Sequence, residues 1–115
     1  MLERFAVVRR VPVDRWAVTV AALLDGLGLV AAEVPAAMRP GEARRLTARA
    51  RERGAVLVAA GSWPAEAALR LRAEGSGWQG LGTGHGRLAE RALRVRVEGR
   101  GAAARARVGV LAQAC

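Results

Sequence analysis

The hydrophobic rhythm of the chain changes about halfway along it. In the first half, Phe5-Ala6-Val7-Val8 is a short apolar run ended by Arg9, Arg10 and the Val11-Pro12 step. The residue before a proline resists helix, so the run predicts a buried strand. Trp16, Val20, Leu23, Leu24 and Leu27 then recur at helical spacing. They predict an amphipathic helix with Asp14 as its N-cap and Gly26 or Gly28 as a left-handed stop. Leu29 to Val34, closed by Pro35, reads as a second strand. Pro40-Gly41-Glu42 opens a second helix and Gly54 stops it, with Glu42 near the positive end of the dipole. Its apolar stripe, Ala43, Leu46 and Ala50, is narrow, and Arg44, Arg45, Arg49, Arg51 and Arg53 occupy most of the remaining circumference. Ala55 to Ala60 is an unbroken apolar strand, the kind buried on both faces of a parallel sheet. Residues 1–60 therefore read as strand, helix, strand, helix, strand, the crossover pattern of an α/β fold.

After Gly61-Ser62-Trp63-Pro64 the period becomes two. Ala67, Leu69 and Leu71 alternate with Ala68, Arg70 and Arg72; Leu93, Val95 and Val97 with Arg94, Arg96 and Glu98; Ala106, Val108 and Val110 with Arg107 and Gly109. Such alternation predicts strands with one buried and one wet face. Short glycine-rich connections such as Glu98-Gly99-Arg100-Gly101 favour antiparallel hairpins. Leu88 to Leu93 also admits a helical turn. Residues 61–115 thus read as an antiparallel extension of the parallel sheet, within a single domain over 1–115.

Composition sharpens this picture. At 115 residues there is length for one ordinary domain, and with one Phe, three Trp and no Tyr the core must be built from Ala, Val and Leu. All 19 basic residues are Arg, none is Lys, and the net charge is +9. The absence of Lys fits the coding bias of a GC-rich genome. The charge acts whatever its origin, because the guanidinium fork grips phosphates and carboxylates. Cys115, the single cysteine and the last residue, excludes an intrachain disulfide and fits a reducing compartment. The charged N-terminus does not resemble a signal peptide, and Asp25, Glu33 and Pro35 interrupt the most apolar segment, Trp16 to Met38. A cytoplasmic protein without membrane insertion is expected.

Candidate chemistry is sparse. Gly80, Gly82, Gly84 and Gly86 alternate with Leu81, Thr83, His85 and Arg87. A phosphate-binding loop needs a strand before it, a helix N-terminus after it and a Lys followed by Ser or Thr, so the stripe reads instead as a surface for close approach of another backbone or ring. His85, the only histidine, has neither the partners of a zinc site nor a placed Ser and acid. It reads as a hydrogen-bonding residue of a hairpin, and no cofactor and no catalysis by this chain are expected. Trp63 and Trp78 flank the first alternating strand, and with Arg70, Arg72, Arg94 and Arg96 they offer stacking and phosphate contacts to single-stranded nucleic acid. The competing reading makes both indoles core residues.

Two stretches carry a family resemblance: Glu42-Ala43-Arg44-Arg45-Leu46 through Arg51-Glu52-Arg53-Gly54-Ala55-Val56-Leu57-Val58, and Trp78-Gln79-Gly80-Leu81-Gly82-Thr83-Gly84-His85-Gly86-Arg87-Leu88 through Gly99-Arg100-Gly101-Ala102-Ala103-Ala104-Arg105. Together they resemble the C-terminal half of the actinobacterial ImuA′ family, RecA-like accessory factors. The resemblance implies a partial RecA-like, P-loop NTPase-type sheet. Leu29 to Val34 would match its Walker B strand, with Glu33 as the acid, and the sequence would begin after the strand-loop-helix unit that such a core places first, the chain being truncated or that opening segment supplied differently. It further implies an accessory role in damage-induced mutagenic translesion synthesis, with an ImuB-like Y-family polymerase relative and a specialised C-family DNA polymerase as partners. ATP hydrolysis is not expected without a Walker A lysine. Candidate partner or DNA contacts are Trp78, Gly82, Gly84, His85, Gly86, Arg87, Arg94 and Arg96. The alternative is a basic nucleic-acid-binding module acting independently, and exposed sheet edges make self-association a further expectation.

Overall fold

The computed structural model describes residues 2–79, 90–100 and 107–114. The chain divides into two compact units, Met1–Glu66 and Ala67–Cys115, six residues past the change of rhythm at Ala60. The fold is mixed α/β, with a two-stranded parallel sheet in the first unit and a separate three-stranded antiparallel sheet in the second.

In the first unit a 3-10 turn at Leu2–Arg4 leads through extended chain to helix α1, Val13–Gly26. Pro12, with its fixed φ, occupies the N-cap position and its carbonyl accepts from Arg15 N–H at 2.9 Å. Asp14 is therefore not the cap. It lies in the first turn, where its charge complements the dipole. Nor does a left-handed glycine end the helix: Leu27 is extended, its N–H bonded to the Leu23 carbonyl, and the chain passes straight into β1, Leu29–Glu33.

Helix α2, Pro40–Arg53, forms for local reasons that the sequence states openly. Pro40 takes the first helical position, where its missing N–H costs nothing, and the Glu42 carboxylate accepts the Arg39 backbone N–H at 3.1 Å. Gly54 ends the helix at φ 62°, and the Ala55 N–H reaches back to the Ala50 carbonyl at 2.9 Å, closing a Schellman turn. Strand β2, Val56–Ala60, then pairs with β1 in parallel, Leu29 opposite Val56 and Glu33 opposite Ala60.

Both helices cover one face of this sheet. Trp16, Val20 and Leu24 of α1 meet Val30 of β1 and Leu46 and Ala50 of α2 in the core. Leu57 and Trp63 pack against its rim, which places one of the two candidate stacking indoles, Trp63, in a structural role. The expectation that the third apolar strand is buried on both faces fails. Val56 and Val58 remain 55% and 46% exposed, because no layer of the first unit lies over that side. Phe5 to Val8 does not form the expected strand either. Phe5 is 70% exposed, the run joins no ladder of the β1-β2 sheet, and Arg10 just beyond it takes a left-handed φ of 57° that interrupts an extended course.

The second unit contains β3, Leu69–Gln79, β4, Glu90–Gly99, and β5, Arg107–Ala114, in the order β3-β4-β5, antiparallel throughout. The alternating segments are thus strands, but they form their own sheet instead of extending the parallel one. A bulge between Ala73 and Ser76 shifts the β3-β4 register. The helical alternative for Leu88 to Leu93 is excluded from Glu90 onward, where β4 begins. Leu69 and Leu71, expected to be buried, are exposed, Leu71 at 65%.

Candidate partner and nucleic-acid interfaces

Two surfaces stand out, one in each unit. In the first, the odd positions of β1 and the even positions of β2 share the uncovered side of the sheet: Leu29 beside Val56, Ala31 beside Val58 and Glu33 beside Ala60. All six are exposed, so an apolar strip ends in one carboxylate. Next to it a cavity of about 1050 Å³ lies between the run Phe5–Val8 and α1 with β1, lined among others by Val11, Trp16, Leu27 and Leu29. Contiguous apolar surface of this kind marks sites of association.

The helices that support this sheet are tied at their exposed ends by a charge cluster. Asp25, in the last turn of α1, takes a bidentate grip from Arg49 of α2 at 2.7 and 2.6 Å, and Arg53 Nε donates to the same carboxylate at 3.1 Å. The hydrogen bond from Arg49 and the two positive charges hold the Asp25 carboxyl below its ordinary range against a smaller opposing effect of desolvation, and Asp25 raises Arg49 in return. These residues lie 24 and 28 positions apart in sequence, so no local pattern announces the cluster.

In the second unit the alternation of β3 and β4 collects arginines on one side. Arg70 stands opposite Glu98, and Arg72 opposite Arg96. Arg94 lies two positions from Arg96, level with the bulge in β3. Arg96 Nε also donates to Glu74 Oε1 at 2.6 Å, whereas Arg72 and Arg94 form no ion pair among the described residues. Of the sequence candidates, Arg94 and Arg96 therefore share one face. Trp78 pairs with Arg91, out of phase with Arg94 and Arg96 in the alternation of β4, so the register does not group it with them. Gly82, Gly84, His85, Gly86 and Arg87 lie outside the described residues.

Glu33, the counterpart of a Walker B acid by resemblance, sits at the exposed end of β1 beside Ala60. Among the described residues no three His, Cys, Asp or Glu side chains come together as a metal site, and no helix is long and apolar enough to cross a membrane.

No curated protein and no solved structure gives a significant match to the chain. One family model, described as the MT3502 N-terminal domain, matches residues 1–65. That span is more than half of the 115 residues and ends one residue before the boundary of the first structural unit at Glu66. The helix-covered parallel sheet with its open apolar side is the part matched, and the chain belongs to the MT3502 N-terminal domain family.

Proposed function

We propose that this chain is a non-catalytic accessory protein of a damage-induced mutagenic translesion-synthesis assembly, and that it docks an ImuB-like Y-family polymerase relative. The observation that carries the docking role is the uncovered side of the parallel sheet, where Leu29, Val56 and Val58 stay exposed although their strands are paired. The cavity beside Phe5–Val8 adds apolar surface next to that strip. Interfaces place an apolar centre inside a polar rim, and here Glu33 at the end of the strip and Arg4 at the cavity supply polar groups. The identity of the partner rests on the resemblance of the two stretches Glu42 to Val58 and Trp78 to Arg105 to the ImuA′ family.

The test is titration of the purified chain against the polymerase-related partner by calorimetry, with Val56→Arg and Val58→Glu alongside. Both side chains project away from the core, so the variants should fold with unchanged helical content, and binding should weaken at least about tenfold as a charge enters a desolvated contact. Equal affinity of the folded variants, or no complex with the wild-type chain, would overturn the reading.

A further inference from the structure

The arginine face of the second sheet has no place in protein docking through the first unit. We infer that this face, with Arg70, Arg72, Arg94 and Arg96 at its centre, binds the phosphodiester backbone of single-stranded nucleic acid.

Four features carry the inference. Arg72 lies directly opposite Arg96 across β3 and β4, and like charges in that position weaken an antiparallel pair. Glu74 and Glu98 are the acidic side chains these two strands place near the four arginines, and Glu74 already occupies Arg96 Nε. Arg72 and Arg94 remain without an ion pair among the described residues. Charge is also concentrated here: the second unit holds nine Arg against three acidic residues, the first ten against seven.

Spacing and polarity select the partner. Arginines on alternate residues of a strand repeat every ~7 Å and neighbouring strands lie ~5 Å apart, a flat lattice whose repeat is comparable to that of successive phosphates in an extended nucleic-acid strand. On β3 and β4 the described side chains of this face, Arg70, Arg72, Glu74, Arg94, Arg96 and Glu98, are all charged, and the register of β5 sets Val108 opposite Arg96 and Val110 opposite Arg94 at its flank. A phosphate backbone needs no apolar contact, because release of its counterions supplies the driving force. Contacts to phosphates carry no sequence information, so sequence preference is not expected.

The experiment is fluorescence anisotropy of the full chain with a labelled oligothymidylate at several salt concentrations, free of any polymerase partner and hence separable from the docking proposal. Wild-type affinity should fall steeply with salt, and Arg72→Gln/Arg94→Gln should weaken it at least about tenfold at low salt. The same variant should flatten the log-log salt slope by ~1.4, the share of two phosphates on a single strand. Arg44→Gln/Arg45→Gln, which removes two exposed charges from α2, should leave affinity and slope near wild type. Because Arg72→Gln relieves a like-charge contact, the thermal midpoint of the strand variant should hold or rise while binding falls, which separates lost contact from lost fold. An equal loss in the α2 variant, absence of binding by the wild-type chain, tighter binding of a duplex, or equal binding of polyglutamate would each overturn the inference.

Discussion

Asp25 places a carboxylate at the C-terminal end of α1, the end where the helix dipole disfavours negative charge, and two guanidiniums from α2 offset that cost. Its lowered pKa fixes the sign of a pH effect. The cluster contributes fully above the ordinary aspartate range, where folded and unfolded chains are both ionised. As pH falls the unfolded chain takes up its proton first, and the contribution is gone once the folded carboxyl is protonated too. Asp25→Asn should therefore lower the thermal midpoint at pH 7, and the gap from wild type should close on acidification through and below the ordinary aspartate value. A gap that stays constant with pH would show the carboxylate charge to be irrelevant. Gly54 offers a second residue-level test, since its φ of 62° is one that L side chains avoid while the space around it is open. Gly54→Ala should cost about 1 kcal/mol in urea unfolding from backbone conformation alone, and Gly54→Asn should cost less.

At the scale of elements, the difference between α2 and the N-terminal run shows what a sequence can express. Pro40, Glu42 and Gly54 act within their own turns, so the start, the stop and the buried stripe Ala43, Leu46, Ala50 of α2 were all legible. Phe5 to Val8 has strand composition, but a strand exists only where another edge completes its ladder, and that is a property of distant residues. The exposure of Val56 and Val58 escaped the sequence for the same reason: an apolar run states that burial is favourable, without stating that a second layer exists to provide it. On the arginine face, alternation placed Arg94 and Arg96 together, but only the register showed Arg72 opposite Arg96 and Trp78 out of phase with both. Helix α1 supplies the quantitative check on the core. Leu24 is fully buried, and Leu24→Ala should cost about 3 kcal/mol, whereas Val18→Ala on the exposed face of the same helix should stay within about 0.5 kcal/mol. Similar losses at both positions would mean that α1 packs by a different face.

For the whole molecule, the open side of the parallel sheet and the unladdered edge of β1 favour association of copies when no partner is present. Light scattering should show a mass that rises with concentration and that Val58→Glu returns toward the single chain; a constant monomer mass at tens of micromolar would refute this. The opposition of Arg72 and Arg96 has a different consequence, for the way the molecule responds to its medium. Added salt weakens the attraction within the Asp25 cluster and relieves the repulsion across β3 and β4. Across β3 and β4 salt also weakens the Arg96–Glu74 pair, so attraction and repulsion offset there. Raising ionic strength should speed amide hydrogen exchange in α1 and α2 and leave β3 and β4 nearly unmoved, so one chain would carry an electrolyte-sensitive half and an electrolyte-indifferent one.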